Sequence, residues 1–210
     1  MRNQHTTETK SRRSYLKMTG ATAAAGLVGL AGCMGAEATA VTLQNETYEE
    51  TLLADGDVRV EESSAIEGDI EADGDVFINN SDVYGDLEAD GDVTIEGSHI
   101  GGDVEADGSV SIDESTVGGD VEADGDVIIE GSDIDGDVEA DGDITVVDSE
   151  IDGEMEADGD VVVRNSHVND EIEADGNLTI EDGSTVSGEI EADGEVTVSD
   201  DSTVDGGIDS

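Results

Sequence analysis

The chain has 210 residues, with 57 acidic residues against 7 basic ones and a formal net charge of -50. That charge excludes nucleic acid and anionic lipid as electrostatic partners, and a single Cys excludes an internal disulfide or a Cys-rich zinc module. High net charge with few aromatics is also a composition of disordered chains, so residue order has to decide between disorder and a fold.

The first 33 residues read as an address. Arg2, Lys10, Arg12, Arg13 and Lys17 precede an uncharged Ala- and Gly-rich stretch, Met18 to Gly32. This is the basic, apolar, small-residue layout of an export signal, and its apolar part is too short to favour a permanent spanning helix. Within it, Arg12-Arg13-Ser14-Tyr15-Leu16-Lys17 resembles the twin-arginine consensus, which implies export of a folded protein by the Tat pathway. Leu30-Ala31-Gly32-Cys33 resembles a lipobox, which implies cleavage before Cys33 and lipidation of its thiol. The expected location is the outer face of the cytoplasmic membrane, held by acyl or isoprenoid chains contributing about 0.8 kcal/mol per buried methylene. Residues 1–32 are read as signal, 33–52 as a lipid-anchored tether and 53–208 as a repeat domain.

Loss of residues 1–32 removes Glu8 and five bases, leaving Arg59 and Arg164 as the basic residues and a net charge of -54. An acid excess with no Lys resembles proteins of extreme halophiles, especially haloarchaea. At molar salt the screening length falls to about 3 Å, and self-repulsion of dense carboxylates fades.

From residue 54 one pattern takes over. Ala-Asp-Gly occurs nine times, beginning at Ala54, Ala72, Ala89, Ala106, Ala123, Ala140, Ala157, Ala174 and Ala192, at intervals of 17 or 18 residues. So regular a period predicts a solenoid. In the copy from Ala89 to Glu105, Val93 and Ile95 alternate with polar residues, and Ser98, Ile100, Gly102, Val104 and Ala106 alternate again. Period two predicts strands. Asp90-Gly91 and Glu96-Gly97 mark corners, and Gly102 marks a third. The unit is therefore three short strands and three corners, all-β, stacked as about nine triangular coils. One-residue insertions near Glu62, Gly183 and Asp201 fall in the terminal copies, where solenoid repeats are usually atypical.

The segments Val83-Tyr84-Gly85-Asp86-Leu87-Glu88-Ala89 and Asp92-Val93-Thr94-Ile95 resemble the bactofilin pattern. That resemblance implies a right-handed parallel β-helix that self-associates end to end without nucleotide, as a scaffold for cell shape or envelope proteins. The chain departs from the family in its export signal and in the small apolar residues of its last copy, Val196, Val198, Val204 and Ile208. Surface β-helix adhesin-like domains are a second resemblance.

The carboxylates fall in columns. Glu71, Glu88, Glu105, Glu122 and Glu139 precede the Ala of successive copies, and Asp86, Asp103 and Asp120 run beside them. At a rung spacing near 4.8 Å two such charges repel by about 0.9 kcal/mol in water, so cations are expected on the columns. Diffuse K⁺ or Na⁺ and bound Ca²⁺ are both open. No organic cofactor is expected. Ser81, Ser98, Ser115, Ser132, Ser149 and Ser166 form an inward stack, read as hydroxyls that carry hydrogen bonds along the rod. His99 and His167 share a corner slot four copies apart, too far to share a metal. Catalysis is not expected, because Arg59 and Arg164 are about six copies apart and aromatic sugar platforms are missing. Asn45, Asn79 and Asn177 open Asn-x-Ser/Thr sequons.

Overall fold

The structure, a computed structural model, describes residues 40–209. The segment read as a signal, with its twin-arginine-like motif, and Cys33 lie outside these residues. Every described element is a strand, and the strands fall into three ten-stranded parallel sheets. Each coil contributes one strand to each sheet. In the fourth coil these are Val93–Glu96 to sheet A, His99–Ile100 to sheet B and Val104–Ala106 to sheet C. The chain is a right-handed parallel β-helix, the hand that parallel crossovers adopt when right-twisted strands pack back on their own sheet.

Register is strict along the rod. Val93 pairs with Val110 and Ile95 with Ile112 in sheet A, Ile100 with Val117 in sheet B, and Val104 with Val121 in sheet C. One coil sends Val93, Ile95, Ile100 and Val104 inward, with Ser98 and Ala106 filling the corners, and all six are buried. A slip of one residue would turn this whole set outward, so the alternation fixes the pairing.

Two expectations are corrected. The nine coils counted from Ala-Asp-Gly are ten, and the tether assigned to residues 33–52 ends well before residue 52. The first coil is β1 (Ala40–Gln44), β2 (Thr47–Tyr48) and β3 (Leu52–Ala54). Val41 and Leu43 pair with Val58 and Val60, and Leu43 and Leu52 are buried. This coil has no Gly before the Ala54-Asp55-Gly56 that closes it, so a search on Ala-Asp-Gly finds its end and not its beginning. Its strand alternation was the signal.

The serine stack carries hydrogen bonds along the rod in a specific way. The N–H of Ser98 donates to the Oγ of Ser115 in the next coil at 3.0 Å, and that hydroxyl donates to its own corner carbonyl at Asp113, 2.7 Å away. The same pair of bonds recurs at Ser81, Ser132 and Ser149. Among the described residues no buried side-chain N or O lacks a partner. Ser115→Ala leaves the buried N–H of Ser98 without an acceptor and is expected to destabilise by about 1–3 kcal/mol. A denaturant midpoint unchanged from the parent would contradict this role.

The inserted residues bulge outward at this same corner. Glu62 and Ser63 take φ values of 58° and 65°, and Asp182 and Gly183 take 58° and 78°. The serine ladder passes them unbroken, from Ser64 to Ser81 and from Ser166 to Ser184.

Candidate functional site

The three sheets present chemically different outer faces. On sheet C the central outward residue is Glu in coil after coil, with Glu88 opposite Glu105, Glu105 opposite Glu122, and Glu122 opposite Glu139. Glu71 lies one rung before Glu88. All of these glutamates are exposed. The Glu105 carboxyl is held above its usual range, first by loss of hydration between its neighbours and then by the charges of Glu88, Glu122, Asp107 and Asp124. Glu139 is raised in the same way, with Glu122 and Glu156 as its adjacent rungs. Glu154 is raised by lost hydration, then by Glu171, Asp137, Glu156 and Asp170.

A carboxyl with a raised folded-state pKa holds its proton more tightly folded than unfolded. It therefore favours the folded state as pH falls through that raised value, and the gain saturates below the ordinary carboxylate range. At an ionic strength where the chain remains folded, the melting temperature is expected to rise by a few degrees as pH falls from 7 towards 4.5. A flat profile or a fall across that window contradicts the ladder electrostatics.

The aspartate columns have a role that the sequence reading missed. Asp86, Asp103 and Asp120 each accept, through Oδ1, the backbone N–H of the equivalent residue in the following coil, at 3.2, 3.0 and 2.9 Å. A second such column follows the Ala-Asp-Gly corner. There the Oδ1 of Asp75 accepts from Asp92 N–H and that of Asp92 from Ser109 N–H, while Ser109 Oγ accepts from Asp126 N–H. These positions hold short acceptors (Asp, Ser or Asn) through most of the rod, which was the signal. In the first column the pattern fails at Glu154, whose carboxylate accepts no such bond. The N–H of Glu171 donates instead to Asp170 Oδ1 at 3.0 Å. Asp170, which stands where the second to seventh, ninth and tenth coils have Gly, thus changes the corner locally while Met155, Ile172 and Ile190 stay in register.

Half of the oxygens in these aspartates are therefore committed to the backbone, and the glutamates of sheet C are the freer anions. Among the described residues no group of three or more His, Cys, Asp or Glu is arranged to hold a metal ion. His99 Nδ1 lies 2.7 Å from Thr116 Oγ1, with the Tyr84 ring edge-on at 6.3 Å. His167 lies four coils further on. Arg59 stacks over Phe77 at 5.1 Å, and Arg164 pairs with Glu181.

The three sequons are not equivalent. Asn45 sits exposed at a corner with φ 55° and donates to Glu62 Oε2. Asn79 donates to Glu96, and the Ser81 of its sequon is buried with its hydroxyl on the Asn79 carbonyl. Both amide atoms of Asn177 are used in the second aspartate column, towards Asp160 and Glu195.

A family model for the β-solenoid domain of flagellar assembly protein A (FapA) matches residues 82–203, more than half of the chain. The chain belongs to the FapA β-solenoid family. The match begins within the third coil and ends within the tenth, so it covers the stretch where the 17-residue period is most regular. The FapA solenoid agrees with the parallel β-helix that the bactofilin-like motifs implied. No match is found among the curated proteins or among the solved structures.

Proposed function

We propose that this FapA-type solenoid is a non-enzymatic structural rod, anchored by lipid at Cys33 to the outer face of the cytoplasmic membrane after Tat export, and that it assembles end to end as a bactofilin-like scaffold of the cell envelope. One observation carries the structural part of this reading. The inward serines and the corner aspartates are bonded from coil to coil. Membership of a β-solenoid family agrees with it. End-to-end assembly draws support from the tenth coil, where Val196, Val198 and Val204 are only partly covered and Ile208 is 55% exposed.

Electron microscopy of the mature chain in molar salt tests the scaffold. Filaments are the expected result, and isolated rods about 45 Å long would sink it. Cys33→Ser is expected to release the protein from the membrane fraction, and continued membrane association would contradict the anchor. The second reading is a monomeric surface module that binds divalent cations, and the mutually repelling glutamates of sheet C favour it. Calorimetric titration of Ca²⁺ against a molar KCl background decides that point. Absence of both heat and a shift in melting temperature leaves diffuse K⁺ or Na⁺ as the counterions.

A further inference from the structure

Sheet A differs from the other two faces. It carries both arginines of the described residues, Arg59 and Arg164; its central outward column, from Thr94 to Thr197, holds no acid, and the acidic column beside it is interrupted near the middle of the rod. In one outward column Ile128, Thr145 and Val162 follow one another, and in the next column Val147 stands between Glu130 and Arg164. Ile128 is 44% exposed. Thr145, Val147 and Val162 are half-buried, and Glu130 is exposed.

We propose that this patch is the interface of an antiparallel homodimer, with its two-fold axis running across sheet A along the strand Ile144–Val147. Such a rotation keeps each residue's place along its strand and reverses the order of the coils. Ile128 then faces the partner's Val162, and Arg164 faces the partner's Glu130, each contact made twice. Thr145 and Val147 meet their own counterparts. Thr179 and Ser111 face each other one coil further out, and Thr197 and Thr94 beyond them.

The choice of axis follows from the sequence of the column. Centring the rotation on the coil of Ile128 puts Val147 against Asp113, and centring it between the two coils puts Val147 against Glu130. Only the axis on Ile144–Val147 sets apolar against apolar and Arg against Glu. An isologous patch of this kind is self-complementary, as a closed two-fold pair requires.

Two features make the pair a weak one. Glu181, already held by Arg164 of its own chain, faces the partner's Asp113. The corner residues Asp126, Asp143 and Asp160 repel along one rim, so association needs molar salt. The overlap is about 30 Å by about 13 Å at strand spacing, roughly half of a standard interface on each partner. The dimer is therefore concentration-dependent.

Sedimentation equilibrium of the full chain in molar KCl, over rising protein concentration, tests this surface. Reversible dimerisation is expected. Val147→Asp, Arg164→Glu and Glu130→Arg are each expected to weaken it at least about tenfold, with unchanged far-ultraviolet circular dichroism. The double variant Glu130→Arg with Arg164→Glu restores the parental affinity. In a Cys33→Ser background, Val147→Cys gives a disulfide-linked dimer on oxidation, and Ser111→Cys does not. A chain that stays monomeric, an association that the three single variants leave intact, or a double variant that fails to restore it would each overturn the proposal. Purely end-to-end assembly would be recognised by that insensitivity.

Discussion

Transfer of the chain from molar salt into dilute buffer is expected to unfold it cooperatively. The glutamate column of sheet C is in register from Glu71 to Glu191. Each neighbouring pair, about 4.8 Å apart, repels by about 0.9 kcal/mol in unscreened water. Summed over that one column the repulsion reaches about 6 kcal/mol, which is comparable with the whole net stability of an ordinary domain. At 1 M salt the screening length of about 3 Å is shorter than the rung spacing, and at 0.1 M it is about 10 Å. The aspartate columns soften the effect, because each Oδ1 bound to a backbone N–H is paired with a dipole. The expected transition lies below about 1 M, read as loss of the β signal in far-ultraviolet circular dichroism. A spectrum unchanged in dilute buffer would show that the ladders need no screening.

The second large effect is steric. A Cβ on Gly108 would stand 2.8 Å from both the carbonyl carbon and oxygen of Gly91 in the preceding coil. That is backbone against backbone, and neither side can rotate away. Gly108→Ala is therefore expected to destabilise by about 1–3 kcal/mol, as overpacking does, which for a domain of this size lowers the melting temperature by roughly 2–12 °C. Gly97 is the control. Its φ is +57°, and a Cβ there would meet nothing closer than the Asn80 side chain at 3.2 Å. Asn80, Glu114, Asp148 and Asn165 already occupy the equivalent corner with positive φ. Gly97→Ala should cost about 1 kcal/mol or less. Equal losses from the two variants would show that contact between coils is not what the Ala-Asp-Gly glycine serves.

These two glycines also show how far the sequence could be read. The period, the strands, the inward residues and the three corners follow from alternation and from Ala-Asp-Gly, because hydrophobic patterning acts locally and repeats. Both Gly97 and Gly108 read as turn residues. That one is needed for its backbone angle and the other for the space it leaves depends on the coil beneath, which no single copy contains. The same holds for Asp92 and Asp103. In the sequence they are two more members of an acidic crowd, and in the fold each Oδ1 accepts a backbone N–H of the next coil, from Ser109 and Asp120 respectively. The first coil was hidden for a simpler reason. Its Val41, Leu43, Tyr48 and Leu52 keep the inward pattern, but no Gly marks its first two corners, and the Ala54-Asp55-Gly56 that closes it was read as the start of the next copy. The twin-arginine-like motif and Cys33 lie outside the described residues.

The strict register has a consequence for inheritance. Every coil from the third to the eighth begins its Ala-Asp-Gly corner 17 residues after the last, and each touches only its two neighbours. Unequal exchange between two such copies of the gene would add or delete one whole coil while every remaining side chain kept its rung. Rod length can then drift in steps of about 4.8 Å without any surface being redesigned. A lineage could lengthen or shorten this protein to span a given distance by recombination alone, well before point mutation altered a single contact.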